Sequence, residues 1–161
     1  MVIPFKNSGL YYPHMSVIAA KYQMLRMNYS GWQDHFSFER DHHKEHTLFD
    51  RLGLRGKKYN LISRTLGSPP NHREIPFIVD NGLPSVVVYI SDEFTPFDWS
   101  LVIERATNLF FIDSSFTFII EKLQLDAEGL YLISRSHNEG GVHESLMTMH
   151  MFKKPWKLID S

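Results

Sequence analysis

Residues 109–123 read Leu109-Phe110-Phe111-Ile112-Asp113-Ser114-Ser115-Phe116-Thr117-Phe118-Ile119-Ile120-Glu121-Lys122-Leu123. The first four are all apolar, which suits a strand buried on both faces better than one with alternating sides. After the Asp-Ser-Ser turn, Phe116, Ile119, Ile120 and Leu123 recur at three- and four-residue spacing and share one face, so the pattern predicts a helix over 115–125. A buried strand that passes through a short polar turn into an amphipathic helix is part of a βαβ unit.

The same grammar extends outward from this stretch. Compact apolar runs rich in β-branched or aromatic residues stand at 59–62, 85–90, 130–133 and 156–159, and 75–79 offers a further short strand after the loop Gly67-Ser68-Pro69-Pro70-Asn71. Phe97, Leu101, Val102 and Ala106 mark a second helix over 97–107. Residues 57–161 are therefore expected to form one α/β, Rossmann-like unit with a mostly parallel sheet flanked by helices. Residues 1–56 differ, holding five of the nine histidines and four of the seven tyrosines. Pro13 in a first turn, with Met15, Ile18, Ala19, Tyr22 and Leu25 on one face, predicts a helix over 13–28. Ser30-Gly31 breaks the chain, and Leu48, Phe49 and Leu52 predict another helix over 40–52 that stops at Gly53. This helical N-terminal segment precedes the α/β unit.

Composition narrows the function classes. The 161 residues are 43% apolar and 22% charged, which fits one globular domain. Seventeen Lys and Arg against eighteen Asp and Glu leave a formal net charge of −1, so no global attraction to nucleic acid or acidic membranes is expected. The chain has no cysteine, which excludes disulfides, thiolate metal sites and a cysteine nucleophile and makes the cytoplasm the natural expectation. The apolar runs fall short of the roughly 20 residues a membrane span needs. Pro4, Lys6 and Asn7 break any apolar stretch behind Met1, so no signal peptide is read there.

In open parallel sheets the chemistry lies beyond the carboxyl ends of the strands. Three ends carry suitable groups. Ser63-Arg64-Thr65 follows the first run, Asp113-Ser114-Ser115 follows the run at 109–112, and Ser134-Arg135-Ser136-His137 follows the run at 130–133. Arginine suits phosphate because its planar fork supplies paired donors. The free N–H groups of a helix's first turn suit an anion for a related reason. Arg64, Ser114, Ser115 and Arg135 together would fit a diphosphate, whereas Asp113 would repel one and better binds a hydroxyl or a backbone N–H. The plainer alternatives are that a serine merely caps the helix and that each arginine makes a surface ion pair.

The stretch 106–123, with its Asp-Ser-Ser turn, resembles the nucleotide-sugar-binding strand-turn-helix of GT-B glycosyltransferases. It is similar both to the heptosyltransferase-like group, with Asp-Ser before the helix, and to the fucosyltransferase group, with paired serines. The resemblance implies that the turn contacts the donor diphosphate and that Arg64, after the first strand, helps to neutralise it. GT-B enzymes pair two Rossmann-like domains and this chain has room for one. The resemblance therefore implies part of a complete enzyme, working as a homodimer or with a separate acceptor domain. No cofactor and no metal is expected, and the catalytic residue stays unassigned. The alternative function is a non-catalytic interaction module that keeps the fold and meets a partner through Tyr11, Tyr12, Trp32 and Phe36.

Other motifs are less specific. His42 and His46 are four apart, as in some zinc sites, with His43 and Glu45 nearby, but no HExxH order or third ligand accompanies them, and a solvated helix face is preferred. Asn138-Glu139-Gly140-Gly141-Val142-His143-Glu144 is read as a surface loop, with Glu139, His143 or Glu144 as an acceptor base in the functional alternative. Met147, Met149 and Met151 fit either extended chain or, in part, a helix face. Phe94, Phe97 and Trp99 offer either a stacking surface for a base or the packing of a helix on the sheet.

Overall fold

The computed structural model describes residues 26, 28, 31–66, 73–112, 114–133 and 151–159. Its centre is a five-stranded sheet of β1 (Asn60–Ser63), β2 (Ser85–Val87), β3 (Asn108–Ile112), β4 (Gly129–Ile133) and β5 (Lys157–Ile159). The order across the sheet is β2-β1-β3-β4-β5, and every pairing is parallel. This is one of the two common doubly wound orders, so the chain has an α/β, Rossmann-like fold as its strand and helix periodicities require. Each of the five apolar runs supplies a strand of this sheet, with ends that coincide or shift by no more than three residues.

The two faces of the sheet are covered differently. Leu61, Leu109, Phe111, Leu130 and Leu132 pack under α2 (His42–Arg51), α3 (Ser100–Glu104) and α4 (Ser115–Lys122) in one core with Leu48, Val102, Ile103, Phe116 and Ile120. Ile62, Phe110, Ile112 and Ile133 face the other way and are covered by Ile75, Phe77 and Val79. Chain direction explains the split. The β1–β2 connection runs toward one edge of the sheet and the later connections run toward the other, so right-handed crossovers place them on opposite faces.

The expected strand over 75–79 is not one. Pro76 has no N–H to give a ladder and Ile78 is 88% exposed, so the alternation of Ile75, Phe77 and Val79 serves an extended cover over the sheet instead. The pairing nearby is a two-residue antiparallel ribbon, Thr65–Leu66 with Arg73–Glu74, continued by the bond from Ile75 N–H to the Arg64 carbonyl. The helix expected over 97–107 is a 3-10 turn, Pro96–Trp99, followed by the short α3. The Asp98 carboxylate accepts from the Thr95 N–H and hydroxyl at 2.7 and 2.9 Å, which fixes the start of that turn. The expected helix over 40–52 is α2, capped by Asp41 accepting from Lys44 N–H and followed by Gly53 at φ +63°. A single turn, α1 (Trp32–His35), stands just after Gly31, where the sequence reads only a break. The helix expected over 13–28 lies outside the described residues.

Polar anchors hold the elements in place. Arg40 forks between Glu45 of α2 and Glu104 of α3 with four bonds of 2.6 to 2.9 Å, and this pairing, with Glu45 first, holds its guanidinium charged far above the usual range. The Glu121 carboxylate of α4 accepts from Lys153 N–H and Trp156 Nε1 at 2.8 Å each, which sets the chain that leads into β5. The fully buried Asn60 donates to Asn81 Oδ1 at 2.7 Å and accepts from Asn81 and Asn108 at 3.1 and 3.0 Å. Asn60→Ala strips partners from two other amides, so urea unfolding should show a loss of about 1–3 kcal/mol. An unchanged midpoint and slope would show that the amide junction contributes nothing.

Candidate functional site

A sheet of this order has one place where successive strand connections diverge, between β1 and β3, and ligands of such folds sit in the crevice beyond the carboxyl ends of those two strands. Arg64 is the first residue after β1. Ser63 pairs with Phe111, so Arg64 stands level with Ile112 one strand away, and Ser114 and Ser115 follow just beyond. The fold thus brings Arg64, Ser114 and Ser115 to the same end of adjacent strands. Asp113 and Arg135 lie outside the described residues, as does the loop 138–144.

Ser114 is the residue before α4 and has extended backbone, φ −153° and ψ 179°. Its carbonyl accepts from the Thr117 N–H at 3.1 Å and the Thr117 hydroxyl at 2.7 Å. Its own hydroxyl does not cap the helix: Ser114 Oγ is buried and has no hydrogen-bond partner among the described residues. The capping role read as the plain alternative for this serine is therefore not the one its side chain plays. The first-turn N–H groups of the eight-residue α4 receive no side-chain oxygen from it. Ser115 is exposed.

Arg64 is partly committed. Its Nη2 is 3.0 Å from Glu74 Oε2, in the ribbon that follows, and its Nη1 lies 3.5 Å from the Phe77 carbonyl, a weak contact at that distance. Its Nε is buried with no partner among the described residues. The pairing of Thr65 with Glu74 explains why this carboxylate lies beside the arginine. Residue pattern alone does not point to Glu74, because its approach to Arg64 depends on a ribbon only two residues long. The recoverable signal is the turn-forming Gly67-Ser68-Pro69-Pro70-Asn71 between two short segments able to pair.

Three other candidates resolve as structure. Phe94 and Trp99 are 2% and 0% exposed and belong to the helix-side core, which leaves Phe97 as the one of the three that reaches the surface. His42, His43 and His46 are exposed on α2, and no group of three potential ligands that could hold a metal ion occurs among the described residues. Trp32, expected as a contact surface if exposed, is 6% exposed, because its ring packs on Phe118 and its Nε1 donates to the Met151 carbonyl at 2.8 Å. No helix among the described residues is long and apolar enough to cross a membrane.

Comparison of the chain with protein-family models, with curated proteins and with solved structures gives no match. The chemistry of the crevice therefore stands on its geometry. An arginine N–H and a serine hydroxyl that are buried without a partner among the described residues, with a helix start lacking its serine cap, make a set of donors suited to an anion.

Glu74 competes with such an anion for Arg64. An ion pair this open to solvent is worth at most about 1 kcal/mol. Glu74→Gln should accordingly tighten the binding of inorganic pyrophosphate by up to about fivefold in isothermal titration calorimetry. Unchanged or weaker binding would show that the pair does not contend with the ligand.

Proposed function

We propose that this chain binds the diphosphate of a nucleotide-sugar donor in the crevice between β1 and β3 and serves as the donor domain of a GT-B-like glycosyltransferase. The observation that supports this reading is the pair of buried polar atoms without a partner among the described residues, Arg64 Nε and Ser114 Oγ, carried by the residues that follow the two strands flanking the switch point. Buried donors left unpaired cost free energy, and a phosphate oxygen reaching them would recover it.

The roles follow from charge. Glycosyl transfer leaves a nucleoside diphosphate with growing negative charge on the oxygen that departs from the sugar. Arg64 and the first-turn N–H groups of α4 would meet that charge with donors already in place, which lowers the barrier more than it favours the bound donor. Asp113, by its charge, would serve a hydroxyl or a backbone N–H at the rim of the site. The acceptor and its base would come from a separate domain or from a second copy of the chain.

The decisive test is a thermal-shift panel of GDP, UDP, ADP and CMP with their sugar conjugates. A ligand present at about 100 times its dissociation constant adds about 2.7 kcal/mol of stability. One base should give a clear upward shift, which Arg64→Ala should reduce to the level of buffer. A flat response across the panel, or a shift that survives in Arg64→Ala, would remove this reading.

A further inference from the structure

A second cavity, of about 450 Å³, opens on the helical side of the sheet between α1, the 3-10 turn and α4. Among the described residues, the rings of Trp32, Phe36, Phe97 and Phe118 line it, and the polar side chains are those of His35 and Ser115. No Lys, Arg, Asp or Glu among the described residues borders it. The volume lies within the range of sites for small organic molecules.

The walls are set before any guest arrives. Trp32 meets Phe118 edge-on at 5.0 Å and lies 6.0 Å from Phe36. The Nε1 of Trp32 and the Nε2 of Gln33 both donate to the Met151 carbonyl, at 2.8 and 2.9 Å, so the indole offers the cavity carbon surface alone. Phe97 stacks on Phe38 at 4.9 Å with 30° between the rings and is 38% exposed, as a residue at the mouth should be.

These features select a ligand class. A nucleobase has several polar edge atoms that must be hydrogen-bonded when buried, and two polar side chains do not serve them. A charged group finds no counter-charge among the described lining residues. A flat ring gains from aromatic walls through edge and offset contacts, and a single hydroxyl finds its partner at Ser115 or His35. We propose that this cavity is a binding site for a sparsely polar aromatic compound bearing a hydroxyl group, its ring against Phe97 and Phe118 and its hydroxyl at Ser115. The site is separate in chemistry from the anion crevice and does not depend on the donor reading. Ser115, adjoining Ser114, is where the two meet.

The test is fluorescence titration of the full chain with 4-methylumbelliferone, read through quenching of tryptophan emission. Saturable binding to the parent is expected, weakened about tenfold by Phe97→Ala and severalfold by Ser115→Ala, and unchanged in Arg64→Ala. Phe97 is partly exposed, so its truncation leaves the core intact, and circular dichroism of each variant confirms the fold. Absence of saturable binding to the parent, or equal affinity in folded Phe97→Ala, overturns the proposal. Uridine at the same concentrations should not compete, and displacement of 4-methylumbelliferone by uridine would overturn the assigned ligand class. Loss of nucleotide binding with umbelliferone binding retained would remove the donor reading and leave this site standing.

Discussion

The side-chain amide of Asn60 lies fully buried at the start of the central strand, and three segments take their positions from it. Through Asn108 it aligns β1 with β3, and through Asn81 and the Leu83 carbonyl it holds the turn that leads into β2. The junction therefore sits at the end where the chain enters β1, β2 and β3. A buried amide is costly unless satisfied, so alternative registers that lose these partners are disfavoured. At the opposite end of the same two strands, the reversal of direction leaves the crevice that Arg64 and Ser114 border. Register at one end and the placement of Arg64 and Ser114 at the other are thus consequences of one arrangement.

The layer of helices completes the scaffold in two steps. Leu48, Val102, Phe116 and Ile120 bury against one face of the sheet, and the charged pair of carboxylates around Arg40 fastens α2 to α3 where apolar contact gives way to solvent. The other face has no helix among its described cover, only the alternating Ile75, Phe77 and Val79. That same connection carries Glu74 back to Arg64. The segment that shields the sheet also brings in the carboxylate that restrains the arginine, so cover and site are coupled through ten residues of chain.

Much of this was legible in the residues. The apolar runs marked each strand of the sheet because buried parallel strands need no alternation. Gly53 and the spacing of Leu48, Phe49 and Leu52 marked α2 because helix ends obey local rules. The failures share a cause, which is that periodicity reports burial and not pairing. Ile75, Phe77 and Val79 alternate as a strand would, yet Pro76 and the exposed Ile78 leave them as unpaired cover. Trp32 looks available to a partner, yet contacts with Met151 and Phe118, more than eighty residues away, bury it. Arg64 and the Ser114-Ser115 turn are read from their positions at strand ends, and the sheet brings those ends together. Glu74 is not so read, since its approach to Arg64 depends on a ribbon only two residues long.

The binding of a phosphate-bearing ligand at the switch point is most directly tested by nuclear magnetic resonance of ¹⁵N-labelled protein titrated with pyrophosphate. The Arg64 Nε–H and the backbone N–H groups of residues 114–117 should shift together, with one dissociation constant, while those of Asn60, Asn81 and Asn108 at the far end stay in place. Shifts absent from Arg64 and α4, or spread over the surface lysines alone, would contradict an anion site between β1 and β3.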